Sequence, residues 1–311
     1  MTDVVTFGEA LIAIRTHGRL GLGDPLSASP AGAEMNVAIG LARLGHDVRW
    51  IGALGKDPAG DLVQRTLRAE AVDVSRVRLD ADAPTGLMLV DMPPALPPVV
   101  TYHRRGSAGS RIAPADVSDA GGTARVWHLT GVTPALSSSA LAATQAGIDE
   151  ARRAGALVSF DVNYRAKLWD RGVASAALAP LARQADVIIA SEDELDLVAD
   201  GRDEAARLAD LLDGGSREVI VKRGRSGADH YDGEAVTSCP AYPVDEVNSI
   251  GAGDAFTAGY LSGLLDGLET AERLRRGALC GALAVAGVGD WEQAPTRAEL
   301  DRLGATSDAV R

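Results

Sequence analysis

The sequence predicts an α/β fold built on a mostly parallel sheet with helices on both faces, plus a second, smaller sheet projecting from it. Three observations carry this expectation. Short, continuously apolar runs recur at residues 48–51, 126–129, 157–160, 187–190 and 219–221, the pattern of strands buried on both faces. Segments of helical periodicity separate them, among them 33–44, stopped by Gly45, and 140–154, stopped by Gly155; strand and helix in alternation are what a parallel sheet requires. Two segments, 11–33 and 85–106, break the alternation and read as extended hairpins, the second with Pro93, Pro94, Pro97 and Pro98 around its turn.

Taken in order, an N-terminal strand at 4–7 leads into Gly8-Glu9-Ala10 without the glycines of a dinucleotide-binding turn. The two hairpins form one small sheet with no helix of its own to cover it, so it is expected to act as a lid, a dimer surface, or both. The α/β core then comprises residues 1–10, 34–84 and 107–311. No internal repeat or long linker interrupts it, and the tail after Ala305 is expected to fray.

With 311 residues and 46% apolar content, the chain can bury a full core. Thirty-one basic against 43 acidic residues give a net charge of −12 with no basic block, so the electrostatic footprint of nucleic-acid or membrane binding is missing. The longest uncharged run near the end, 277–289, is too short to span a bilayer, and no basic region followed by an apolar stretch opens the chain. A cytoplasmic location is the expectation. Cys239 and Cys280 stand apart from each other and from the scattered histidines, which argues against a disulfide framework or a zinc site and for two buried small residues. Neither H-E-x-x-H nor G-x-S-x-G occurs.

The most informative stretch is Gly251-Ala252-Gly253-Asp254-Ala255-Phe256. Beyond the acid, Phe256, Tyr260, Leu261, Leu264 and Leu265 recur with a period near 3.6, which puts Asp254 in the first turn of a helix. Free backbone N–H groups and the positive end of the helix dipole attract phosphate oxygens there, and the glycines let backbone approach a ligand. A carboxylate in such a place suits a general base that takes the proton of an alcohol attacking a phosphoryl group. Taken alone, the hexapeptide also fits a tight turn with a dipole-complementing acid. A P-loop is excluded by spelling, since no G-x-x-x-x-G-K-[ST] occurs.

Ala31-Gly32-Ala33-Glu34-Met35-Asn36, followed by Leu44-Gly45, then Ile51-Gly52-Ala53-Leu54-Gly55-Lys56-Asp57 and Gly60, resembles the N-terminal signature of the ribokinase-like (PfkB) carbohydrate kinases. The Gly251–Asp254 turn resembles their C-terminal signature. Ala31 departs from the pattern, which usually has a glycine there. The resemblance implies a ribokinase-like three-layer α/β/α sandwich with a small β-sheet lid. Four further stretches resemble the wording of the 2-keto-3-deoxygluconate kinases: Tyr102 to Ser110, His128 to Leu136, Asp161-Val162-Asn163-Tyr164-Arg165, and Asp290-Trp291-Glu292.

What this implies is an ATP- and Mg2+-dependent kinase that phosphorylates the C6 hydroxyl of 2-keto-3-deoxygluconate. Asp254 would be the base, with Gly251, Ala252 and Gly253 contributing backbone to an anion hole. The sugar acid would be held by Gly32, Asn36, Tyr102, Arg104, Arg165, Asp254 and Asp290. The chemistry agrees: a carboxylate needs cations, and the guanidinium forks of Arg104 and Arg165 can hold one bidentately. Arg165 and Asn163 are equally candidates for the nucleotide phosphates. On that side the resemblance also implies Ser191, Lys222, Gly224, Gly227, Gly251 and Gly253, with Glu194 near the magnesium through water. Asp161 reads as a structural acid at a strand end. Asn248 stands where relatives with a monovalent-cation site have an aspartate, which leaves that cation open, and Ala278 stands where relatives offer adenine a polar side chain. The partners expected are ATP, a sugar acid and a second copy of the chain. The alternatives are a fructose, ribose or 5-keto-2-deoxygluconate kinase of the same family, or a silent sugar-acid sensor.

Overall fold

The computed structural model describes residues 2–94, 96–120 and 122–309, from 304 on as backbone alone. Its large sheet has eight strands in the spatial order Val236–Cys239, Ala228–Tyr231, Glu218–Lys222, Val187–Ser191, Leu157–Asp161, Val126–Thr130, Val4–Phe7 and Val48–Ile51. The last six pair in parallel and the first two close the sheet as an antiparallel edge hairpin. Alternate residues of each strand enter different cores, as a period of two demands. Val5, Phe7, Trp127 and Phe160 pack into one apolar cluster, whereas Val4, Trp50, Val126, Ile189 and Ile220 pack into the other. Helices therefore cover both faces.

The apolar runs mark the strands, but four of the strands run one residue further at their carboxyl ends. The added residues are Thr130, Asp161, Ser191 and Lys222, all polar and lined up along one edge of the sheet. Ligands of open α/β sheets gather at this edge. Helix boundaries follow local signals. Ala33–Arg43 ends before Gly45, at φ +87°, and Ser138–Arg153 before Gly155, at φ +68°. The second helix begins earlier than its apolar pattern because the Ser137 hydroxyl accepts the Ala140 amide at 3.1 Å, capping it. The tail expected to fray continues the helix Arg297–Ala309, and its side chains lie outside the described residues.

The small sheet has the order Ser27–Ala31, Leu11–Arg15, Gly86–Asp91, Val99–His103. Its outer pairs are antiparallel, and Leu11–Arg15 runs parallel to Gly86–Asp91. The expectation that no helix covers it needs correction. Ile12, Ile14 and Leu87 pack into the same cluster as Val63 and Leu67 of helix Pro58–Ala69, because the alternate residues of a half-buried strand require an apolar partner. At its base, Asp57 caps that helix by accepting the Gly60 amide at 2.8 Å and also accepts the Thr85 amide at 2.8 Å, at the foot of strand Gly86–Asp91. Among the described residues no helix is long and apolar enough to cross a membrane.

Phe7 meets Trp127 edge-on, ring centroids 6.3 Å apart, and a Cβ at Gly147 would lie 2.5 Å from the Phe7 ring, so helix Ser138–Arg153 rests directly on it. Phe7→Ala is expected to cost about 3–5 kcal/mol of stability in urea unfolding monitored by circular dichroism. A loss below about 1 kcal/mol would show that the helix does not depend on this contact.

Candidate active site

The Gly251 turn is built as its spelling requires. Gly251 has φ +83°, and a Cβ there would fall 1.9 Å from the Asp290 carbonyl oxygen, so only glycine lets the two loops meet. Asn248 fixes the approach: its Nδ2 donates to the Gly289 carbonyl at 2.9 Å and its Oδ1 accepts the Ile250 amide at 3.2 Å. Helix Ala252–Leu265 then begins, with Asp254 in its first turn.

Asp254 is buried. Asn36 Nδ2 donates to its Oδ2 at 2.8 Å, and Asn163 Nδ2 reaches its Oδ1 at 3.4 Å. Asn163 holds a left-handed backbone, φ +39°. Burial pushes the Asp254 carboxyl up to about 6, against the opposing pull of Arg165, the Asn36 hydrogen bond and Lys222. Asp161, buried at the end of its strand, accepts Lys222 Nζ on both oxygens, at 2.9 and 2.7 Å, and the Thr257 hydroxyl at 3.1 Å. Burial disfavours the Lys222 ammonium, but Asp161, Glu194 and Asp254 outweigh it and its pKa is raised.

Beside this group lies a cavity of about 410 Å3 whose lining includes Lys222, Gly224, Gly227, Ala252, Gly253, Phe256, Ala278 and Val285, together with Tyr242 and Val244. Gly227, at φ +101°, leaves no space for a side chain, since a Cβ would meet the Cys239 carbonyl at 2.0 Å. Neither Ser191 nor Asn163 lines this cavity. The Ser191 hydroxyl donates to Asp193 at 2.7 Å, and its amide donates to Glu194 Oε2 at 2.8 Å. Glu194 Oε1 accepts the Tyr164 amide at 2.6 Å. Among the described residues no group of three or more His, Cys, Asp or Glu could hold a metal ion.

On the other side of Asp254 the small sheet brings its own residues. Gly32 packs on the Glu9 backbone, its absent Cβ 2.4 Å from the Glu9 oxygen. Tyr102 is partly exposed, with the Arg104 guanidinium 5.2 Å and Lys167 Nζ 6.0 Å from its ring centre. Arg104 forms an ion pair with Glu9, whose carboxyl burial pushes up and Arg104 and Ser107 pull down, the balance being upward. Asp290 pairs with Arg15 at 2.5 Å, both side chains nearly fully buried. Burial raises its pKa against the pull of Arg15. The Arg165 guanidinium is exposed and without a hydrogen-bond or ion-pair partner among the described residues, and its charge acts on both Asp254 and Asp290.

The two arginines expected to act together thus differ: Arg165 makes no side-chain hydrogen bond or ion pair among the described residues, and Arg104 is already paired. Sequence reasoning missed Glu9, Arg15 and Glu34. Arg15 closes the apolar run Leu11 to Ile14 and Glu9 follows the buried N-terminal strand, so a charge abutting an apolar strand was the available signal. Glu34 is fully buried and accepts the Thr130 and Thr133 hydroxyls, each at 2.6 Å, and burial pushes it up to about 7. Cys280 is buried as expected, whereas Cys239 is only half-buried because it ends the edge strand.

The model of the pfkB family carbohydrate kinases matches residues 1–297. A 2-dehydro-3-deoxygluconokinase of Bacillus subtilis (strain 168) is 38% identical over 305 residues, 96% of this chain and 94% of that protein. A fructokinase of Klebsiella pneumoniae is 35% identical, covering 95% of this chain and 97% of its own length. An E. coli structure named for a ribokinase II, in complex with ATP and Mg2+, superposes with a TM-score of 0.91 at 25% identity, over 98% of this chain and 100% of that one. The chain belongs to the pfkB family of carbohydrate kinases and is an ATP-dependent sugar kinase.

Proposed function

We propose that this kinase transfers the γ-phosphoryl group of ATP to the C6 hydroxyl of 2-keto-3-deoxy-D-gluconate, giving the 6-phosphate, with Asp254 as the general base. The observation that carries the substrate reading is Arg165, an exposed guanidinium whose charge reaches both Asp254 and Asp290 and which has no hydrogen-bond or ion-pair partner among the described residues. A neutral sugar offers its fork no anion to hydrogen-bond, whereas a sugar acid supplies a carboxylate. The 38% identity to a 2-dehydro-3-deoxygluconokinase supports the same choice. The acceptor would lie between Asp254 and the small sheet, near Gly32, Asn36, Tyr102 and Asp290.

In the transfer, the acceptor oxygen forms a bond to the γ-phosphorus as the bond to the departing ADP breaks, and the hydroxyl proton passes to Asp254. The backbone amides at Ala252, Gly253 and Asp254 hold the charge on the migrating group, and Lys222, poised between Asp161 and the cavity, meets the phosphates. The cavity beside Lys222 suits the nucleoside. A bound magnesium ion would supply positive charge against that of the phosphates. Glu194 fits a place behind its water shell, since each of its oxygens accepts one amide and keeps further acceptor capacity. A cytoplasmic location belongs to the same reading.

A neutral ketose is the second reading, favoured by the fructokinase relative and by the pairing of Arg104 with Glu9. Assay of ADP release with a panel of sugar acids and neutral sugars decides between them. ADP release with no member of the panel would overturn both readings of the acceptor.

Asp254→Asn keeps shape and removes the proton acceptor, so kcat should fall about 10²–10⁴-fold with little change in the KM for ATP. Retention of a third or more of kcat would remove Asp254 from this role. Because its carboxyl lies at about 6 in the free protein, the wild-type kcat/KM for the acceptor should be full above that pH and decline below it, as protonation takes the base away. A profile flat down to pH 4.5 would contradict the assignment.

Arg165→Ala should lower kcat/KM for the sugar acid by about tenfold to a hundredfold, the worth of a charge-assisted hydrogen bond, and affect fructose much less. Equal losses on both would remove the carboxylate assignment, since a contact to the ATP phosphates or the lost pull on Asp254 acts on either acceptor.

The lid and dimer roles of 11–33 and 85–106 are part of the proposal. Leu20, Leu22, Leu26, Leu96 and Val99 expose apolar surface along these segments, as a surface awaiting a partner does. Light scattering should give a homodimer or an assembly of dimers at micromolar concentration, dissociated by charged substitutions at Leu22 and Val99. An active monomer would refute it.

A further inference from the structure

We propose that Glu9 is a positioning residue for the acceptor, holding the Arg104 guanidinium and seating Gly32 beside it. The inference rests on the reading of Arg104 as an acceptor contact. Glu9 follows the strand Val4–Phe7 at the carboxyl edge of the large sheet and is 2% exposed. Its Oε1 accepts the Ser107 hydroxyl at 2.5 Å, its Oε2 pairs with Arg104, and its backbone oxygen closes on Gly32. One residue therefore touches both hairpins of the small sheet where they reach the site, Gly32 just past Ser27–Ala31 and Arg104 just past Val99–His103.

The slot for this carboxylate is cleared by two glycines. A Cβ at Gly109 would lie 2.4 Å from Glu9 Cγ, and one at Gly86 would lie 3.0 Å from Oε1. A buried ion pair contributes little net stability over apolar side chains of equal volume, so stability alone does not account for a carboxylate in this place. Orientation does. With one end on Glu9 and its centre 5.2 Å from the Tyr102 ring centre, the Arg104 guanidinium has little freedom left, and its Nε is buried without a partner. Donors remain for a ligand, and a fork already fixed loses less freedom on binding.

The test is a double-mutant cycle on the whole enzyme, read with 2-keto-3-deoxygluconate and with fructose. Glu9→Ala should raise the acceptor KM about tenfold or more, with kcat and the KM for ATP changed by less than about threefold. Glu9→Gln, which keeps an acceptor for Arg104, should recover most of the loss. In an Arg104→Ala background, Glu9→Ala should add less than about twofold, because the contact it serves is gone. A full additional loss in that background, or a parallel rise in the KM for ATP, overturns the proposal. Should Glu9→Ala not fold by circular dichroism, Glu9→Asp, which withdraws the carboxylate by one methylene, carries the same cycle. Wild-type preference for fructose would overturn the sugar-acid reading separately, and the coupling of Glu9 to Arg104 is then decided on fructose.

Discussion

The rest of the site depends on keeping the Asp254 carboxyl buried and still able to ionise near neutral pH. Dehydrating a carboxylate costs several kcal/mol unless nearby groups compensate. Here the helix N-terminus, the Asn36 amide and the charges of Arg165 and Lys222 offset most of that cost, leaving a carboxyl that titrates at about 6. A solvated aspartate would be a weaker base, and one buried without these partners would keep its proton at neutral pH. The compensating groups come from separate elements around the first turn of helix Ala252–Leu265: Asn36 from helix Ala33–Arg43, Arg165 from the segment after strand Leu157–Asp161, and Lys222 from the end of strand Glu218–Lys222. Small residues let those elements close. A Cβ at Gly40 would lie 2.7 Å from Ala258 Cβ, and one at Gly259 would lie 2.8 Å from Cys280 Sγ, so larger side chains there would push the helices, and with them the amides, away from the carboxylate.

The turn at 289–291 connects the two halves of the site. Its backbone rests on Gly251, while the Asp290 carboxylate receives Arg15 from the small sheet and the Trp291 indole donates to the Pro30 carbonyl at 2.9 Å. Arg43 holds the turn from the core side, donating to the Ala294 carbonyl at 2.7 Å with its guanidinium 5.2 Å from the Trp291 ring centre. A shift of the small sheet therefore acts on the same backbone that packs against the Gly251 turn. Such a shared element is what coupling between two binding steps requires physically.

Much of the fold was legible because apolar runs and helical stops are local. What failed failed for identifiable reasons. The edge hairpin Ala228–Tyr231 and Val236–Cys239 went unread because its strands mix polar and apolar residues, the pattern of an edge with one solvated face. The covering of the small sheet by helix Pro58–Ala69 was invisible because Ile12 and Ile14 alternate with residues of another cluster, and periodicity does not name the partner. Thr130, Asp161, Ser191 and Lys222 fell outside their strands because a reading by apolarity ends a strand at its first polar residue.

By itself the sequence determined the parallel sheet, the glycine turn at 251 and the placing of Asp254 in a first helical turn, since these follow from neighbours a few residues apart. Its wording also carried the family. Only the tertiary structure decided which charges are free. Asn36 and Asp254 are 218 positions apart and Arg15 and Asp290 are 275 apart, and no local rule brings such residues into contact. An arginine in a sequence is simply a cation. Burial beside Glu9 makes Arg104 a paired one, whereas exposed Arg165 acts on Asp254 by charge without a hydrogen bond, because the effective charge of a group is set by the partners and the water that the fold leaves around it.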